Sequence, residues 1–128
     1  MRASTVWYLR CSQSLNAVTA AVYLSLVGYD GLKTAAKQSV DKAHYLCDGI
    51  CAVKGFKKKF NAPFFNEFAV ECPEPPEKLN GRLLGKKILG GLPLARLYPG
   101  MDNVMLVAAT EKRTKAEMDA FIGTLKGL

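Results

Sequence analysis

Residues 104–126 read Val-Met-Leu-Val-Ala-Ala-Thr-Glu-Lys-Arg-Thr-Lys-Ala-Glu-Met-Asp-Ala-Phe-Ile-Gly-Thr-Leu-Lys, and the fold class turns on them. Val104–Ala109 is apolar on both faces, the pattern of a central strand. Thr114 then stands three residues before Glu117. That is capping-box spacing: the hydroxyl takes an N–H of the first helical turn, and the carboxylate takes the N–H of the cap itself. Behind the cap, Met118, Phe121, Ile122 and Leu125 follow at helical spacing and turn one face to a core. A covered strand feeding a capped amphipathic helix is α/β architecture.

The elements upstream agree. Phe64–Cys72 alternates, with Phe64, Phe68 and Val70 on one face and Phe65, Glu67 and Glu71 on the other, so it reads as a strand. Before it, Phe56–Phe60 sets three lysines between two aromatics and is expected as a short edge strand, since lysines on an edge discourage unwanted pairing. Pro73, Pro75 and Pro76 end the Phe64–Cys72 strand, and Pro76 suits a first helical turn. A short helix with Leu79, Leu83 and Leu84 closes at Gly85. Ile88-Leu89 is then expected as a brief strand before the Gly90-Gly91 turn, and Leu92–Asp102 as an irregular loop.

Two helices are expected in the N-terminal part. Ser12 can cap the first, Leu15, Val18, Val22 and Leu26 mark its period, and Gly28 stops it. Ala17, Ala20, Ala21, Tyr23 and Leu24 leave that helix almost no polar face, so it should be covered by something. The second runs from Asp30 to near Gly55 and is amphipathic, with Leu32, Ala36, Val40, Ala43, Cys47, Ile50 and Val53 on its apolar stripe. The expected plan is therefore two N-terminal helices, then three or four short strands interleaved with two more helices. Residues 13–128 are expected to form one α/β domain. Residues 1–12 are a segment whose structure the sequence does not decide.

The totals bound the function. A chain of 128 residues fits one domain, with 49% hydrophobic and 23% charged residues. The net charge is +7, but only Lys57-Lys58-Lys59 forms a run, and the rest are dispersed among acidic residues. A nucleic-acid binder gathers its basic residues into a stripe with aromatics, and this chain does not. The apolar stretch Leu15–Val27 is thirteen residues long with polar interruptions. A bilayer span needs about 20 apolar residues, so no membrane segment is expected and the location is read as cytoplasmic.

Four cysteines without a disulfide-framework spacing suit a reducing compartment. His44, Cys47 and Cys51 share a helical face and form a conceivable three-ligand metal site. A fourth ligand has no source nearby, so small apolar fillers and a surface histidine are the better account. No pair of acidic residues reads as a general acid and base, and Gly90-Gly91 lacks the Lys and Ser/Thr of a phosphate loop. Residues alone give a soluble α/β domain with no catalytic, cofactor-binding or metal set.

A resemblance extends this. Ala62-Pro63-Phe64-Phe65-Asn66-Glu67-Phe68 resembles the "GPFFNEF" stretch in the C-terminal domain of glycine dehydrogenase (decarboxylating) subunit 1, the glycine cleavage system P-protein. Ile88-Leu89-Gly90-Gly91 resembles its "GIIGG" turn, and Arg96, Tyr98 and Pro99 the loop after it. Thr110-Glu111-Lys112-Arg113-Thr114 resembles its "TEKRT" motif. Gln13–Ala17 with Ala20–Tyr23 resembles "QALNALAAAVY", and Lys42–Leu46 resembles "KAHYL". The motifs run in order from about Gln13 to the end, whereas Ser4–Ser12 departs from the family.

The resemblance implies the small C-terminal domain of a fold type I pyridoxal-phosphate enzyme. It implies glycine decarboxylation with aminomethyl transfer to the lipoylated H-protein. Subunit 2, which carries the cofactor lysine, is the implied partner in a homo- or hetero-oligomer. Pyridoxal phosphate then belongs to the complete enzyme and not to this chain. Arg96 and Arg113 are the residues that would face an anionic group such as a substrate carboxylate, with a solvated arginine beside a loop or helix start as the plainer account of each. A free-standing basic module binding nucleic acid or another polyanion is the alternative.

Overall fold

The computed structural model describes residues 4–127, with side chains from Gln13 onward. Its elements are α1 (Ser4–Cys51), β1 (Lys57–Lys58), β2 (Glu67–Glu71), α2 (Pro76–Gly85), β3 (Leu92–Pro93), β4 (Val104–Ala108) and α3 (Lys115–Lys126). The chain divides into two compact units, one ending at Ala35 and one beginning at Ala36.

The first unit is helical and broken at Gly28, whose φ of 64° and ψ of −176° leave the helical region. Glycine takes that left-handed φ without a Cβ penalty, which is why the helix breaks at this residue. The expected boundary is therefore present. The expected start is not: the helix reaches back to Ser4, so Ser12 lies inside it and does not begin it. Nothing in 4–11 is a glycine or proline that would stop a helix. Thr19 and Ser25 donate back to the carbonyls of Leu15 and Ala21, so their hydroxyls are spent on their own helix. Leu15, Val18, Val22, Leu26 and Tyr29 are all exposed.

The second unit is built on a four-stranded antiparallel sheet in the order β1-β2-β4-β3. β4 is internal, as its two-faced apolarity requires, and β1 is an edge, as its lysines suggest. Lys59 extends that edge, with Nζ 2.6 Å from the Glu71 carboxylate. One sheet face presents Phe68, Val70, Met105 and Val107 to a core filled by Ala43, Leu46, Cys47 and Ile50 of α1. Leu79 and Leu83 of α2 and Met118, Ile122 and Leu125 of α3 complete it. Ile50, Leu79, Leu83 and Met105 are fully buried, each stabilising the fold by about 2 kcal/mol through removal of apolar surface from water. The other face, with Ala69, Val104 and Leu106, is covered by Leu94 and Met101.

Three further expectations need correcting. The second helical segment ends at Cys51, not near Gly55; Ala52, Val53 and Phe56 close turns after it, and Gly55 sits at φ 92°. The strand expected from Phe64 begins at Glu67, because Phe64 packs against His44 and the core edge instead of entering the ladder. Ile88-Leu89 is not a strand. Those residues finish the α2 cap, and the strand comes after the glycines, at Leu92–Pro93, inside the stretch expected to be irregular. The capping box is as expected: Thr114 Oγ1 accepts from Glu117 N at 3.3 Å, and Thr114 N donates to Glu117 Oε2 at 2.8 Å.

Candidate functional site

The region between the end of α2, β4 and the start of α3 is held by several specific contacts. At the α2 terminus, Lys86 N and Ile88 N both donate to Leu83 O, and Lys87 N donates to Leu84 O at 2.9 Å. This is a Schellman-type end, and the residue in its left-handed position is Lys87, with φ 60°. An L-residue there costs about 1 kcal/mol relative to glycine. The turn is then pinned by Asn80 Nδ2 donating to Gly91 O at 2.8 Å and by Gly91 N donating to Met105 Sδ at 3.3 Å. A Cβ on Gly91 would meet Leu106 O and lie 2.5 Å from Met105 Cγ, so this backbone approach needs glycine.

From the other side, the Thr110–Thr114 loop is tied to α1. Ser39 is buried, and its Oγ accepts from Glu111 N at 3.1 Å and donates to Glu111 Oε2 at 3.3 Å. Lys42 Nζ donates to Glu111 O. Sequence reading missed Ser39; its only signal is a polar residue on the apolar side of an amphipathic helix. Arg113 follows, with Nη1 3.7 Å from Glu117 Oε1. The Thr114 backbone and hydroxyl, and then Arg113, hold the Glu117 carboxyl below its usual range, so it stays ionised.

Together these elements line a half-open cavity of about 360 Å³, bounded by Lys87 to Gly91, Arg113, Glu117 and apolar residues of α1, β4 and α3. A second, larger and slightly more open cavity of about 550 Å³ lies against Phe60, Ala69, Leu94 and Tyr98. The two arginines of interest separate. Arg113 lines the first cavity. Arg96 lines neither; it is exposed, with Nε 3.9 Å from Glu77 Oε1.

The remaining candidates have structural partners. His44 stacks on Phe64 at 4.2 Å, with Nε2 3.3 Å from Phe64 O. Burial, reinforced by neighbouring Cys51, pushes the Cys47 thiol up to about 12. Among the described residues no three His, Cys, Asp or Glu side chains group to hold a metal ion. A pyridoxal-phosphate site needs an enclosed lysine, a phosphate cradle and a carboxylate for the ring nitrogen. The first cavity does not supply these: Glu117 is committed to the helix cap, and Gly91 N–H to Met105. Several basic side chains are paired: Lys59 with Glu71, Arg82 and Lys78 with Glu74, and Lys115 with Asp119. Among the described residues no helix is long and apolar enough to cross a membrane.

The family model described as glycine cleavage system P-protein matches residues 7–125. A probable glycine dehydrogenase (decarboxylating) subunit 1 of Chlorobium luteolum is 50% identical over 116 residues, covering 90% of this chain and 26% of the relative. A protein of the same description from Thermomicrobium roseum is 42% identical over 115 residues, again covering 26% of its length. The chain thus spans about a quarter of the curated relatives it matches. A crystal structure of glycine decarboxylase (P-protein) of the glycine cleavage system, in inhibitor-bound form, superposes with a TM-score of 0.81 at 35% identity. It covers 88% of this chain, which spans 25% of it. A phosphoserine aminotransferase of Cytophaga hutchinsonii superposes at 0.62 with 16% identity, covering 81% of this chain and 28% of that one. That likeness shows the fold alone, the one expected of small domains in fold type I pyridoxal-phosphate enzymes.

Proposed function

This chain belongs to the glycine cleavage system P-protein family, and from that premise we propose that it is the C-terminal part of glycine dehydrogenase (decarboxylating) subunit 1. The observation that carries the reading is the ordered match over residues 7–125, set against relatives about four times longer. The complete cytoplasmic enzyme decarboxylates glycine and passes the aminomethyl group to the lipoyl arm of the H-protein. Pyridoxal phosphate, held elsewhere in that enzyme, supplies the electron sink for loss of carbon dioxide.

This chain's residues contribute architecture to that assembly. In the unit that begins at Ala36, the sheet and helices fix the Thr110–Thr114 loop through Ser39 and Lys42. The exposed apolar side chains Leu15, Val18, Val22 and Leu26 fit burial against the remaining three quarters of the enzyme or a neighbouring subunit, since large apolar patches are seldom left open to water. Arg113, and less favourably the ion-paired Arg96, are the groups placed to meet an anion.

The test is to express the full chain together with a glycine dehydrogenase subunit 2. A stable complex recovered at high salt is expected. Failure to associate, combined with salt-sensitive binding of nucleic acid, overturns the reading in favour of a basic binding module. By itself the chain should neither bind pyridoxal phosphate tightly at one site nor exchange labelled carbon dioxide into glycine.

A further inference from the structure

The cavity beside Arg113 has no part in the reading above beyond that arginine. Leu46 of α1, Val107 of β4, and Met118 and Phe121 of α3 give it apolar walls around about 360 Å³. That volume lies at the lower end of small-ligand pockets, which run from about 300 to 1,000 Å³. Its lining carries two cations, Lys87 and Arg113, against one carboxylate, Glu117, so its net charge is positive. Glu117 Oε2 is turned to its own helix cap, accepting from Thr114 N at 2.8 Å and Thr114 Oγ1 at 3.0 Å, while its Oε1 lies 3.7 Å from Arg113 Nη1, so the unpaired cation of the lining is Lys87. Among the described residues no carboxylate lies within ion-pair distance of Lys87.

The backbone supplies a second, independent observation. Lys87 occupies a left-handed helix end that glycine fills at no steric cost, and it is one of the residues that line the cavity. Strained positions of this kind concentrate at ligand-binding sites, where the side chain is needed in spite of the backbone.

We propose that this cavity binds a small organic monocarboxylate with an apolar body. The carboxylate lies between Lys87 and Arg113, and the body lies against Leu46, Val107, Met118 and Phe121. A phosphate-sized inorganic anion fits less well. The walls are apolar, the surplus charge is single, and the Gly91 N–H is already committed to Met105. The proposal does not depend on the decarboxylase reading, so either can fail while the other stands.

The experiment titrates the full chain with 3-phenylpropionate, 3-phenylpropionamide and inorganic phosphate, following amide NMR shifts. Saturable binding of the acid is expected, with shifts centred on Met118 and Phe121. The amide should bind about tenfold more weakly, because it cannot form charge-assisted hydrogen bonds. Lys87→Gly and Arg113→Gln should each weaken the acid by a similar factor. Lys87→Gly should at least keep the parent's melting temperature, and Lys58→Gln, outside the cavity, should leave the affinity alone. Equal binding of acid and amide, phosphate competing at the same concentration, undiminished affinity in Lys87→Gly, or no saturable binding overturns the proposal.

Discussion

Replacing Gly91 by alanine is expected to destabilise the chain by about 2 kcal/mol, although the same change in a helix or loop often stabilises. An alanine Cβ would point at Leu106 O and lie 2.5 Å from Met105 Cγ and 3.0 Å from its Sδ. Leu106 O belongs to the central strand, and Met105 is fully buried, so neither gives way without moving β4. Lifting β3 would strain its pairing at Leu92 and Pro93 and the Gly91–Met105 and Asn80–Gly91 hydrogen bonds. Overpacking of this kind costs about 1–3 kcal/mol, set against a gain of about 0.4–1 kcal/mol from a stiffer unfolded chain. The assay is urea unfolding followed by circular dichroism, where the midpoint should fall by about 1 M. Gly81→Ala is the matched control: Gly81 lies within α2 with no atom within 4 Å of its missing Cβ, so the change should stabilise by about 1 kcal/mol. Equal effects of the two substitutions would refute the reasoning, since only the close approach distinguishes them.

Thr114→Ala removes an N-cap and should cost about 1 kcal/mol, lowering the melting temperature by about 4 °C; an unchanged temperature would show that the cap is dispensable. Glu71, Glu117 and Asp119 all have folded pKa values below their ordinary 4.5, 4.5 and 3.8. Lys59, the Thr114 backbone and Lys115 respectively are the leading causes. Their stabilisation is present above those ordinary values and lost as pH falls through the lowered ones, so melting temperature should drop below about pH 4.5. A profile flat from pH 5 to 3 would contradict this. Burial raises the Cys47 and Cys72 thiols to about 12 and about 11, so both should resist alkylation at pH 8 until urea unfolds the chain. Site-resolved mass spectrometry reads the result, and native-state labelling of Cys47 would count against it.

Elements with a strong local signal were legible in the sequence. α3 has a capping box and a clean apolar stripe, α2 has proline at its first position, and β4 is apolar on both faces because both faces are covered. The misreadings fall where tertiary contacts decide. Ile88-Leu89 has strand-like residues but is consumed by the Schellman end at Lys87, a position where lysine gives no hint of a left-handed backbone. Phe64 looks like a strand residue but stacks on His44 instead. At the candidate site, Arg113 was named from the sequence. Lys87 and Ser39 were not, because nothing local shows that one lines a cavity and the other receives a loop from residue 111.

The pairing of β2 with β4 has a consequence for how the chain folds. Glu71 pairs with Val104, and Glu67 with Ala108, so the central ladder is a hairpin whose loop contains all of α2 and β3. Closing it demands that residues more than thirty positions apart meet before any rung forms, and the entropy lost rises only as the logarithm of loop length. Doubling that excursion would cost only about 0.6 kcal/mol more, so the exposed stretch around Leu97–Gly100 is where extra residues can enter at least expense. Cutting the chain there is a different matter. The two central strands would then sit on separate pieces, and the ladder would become a bimolecular association whose stability depends on concentration.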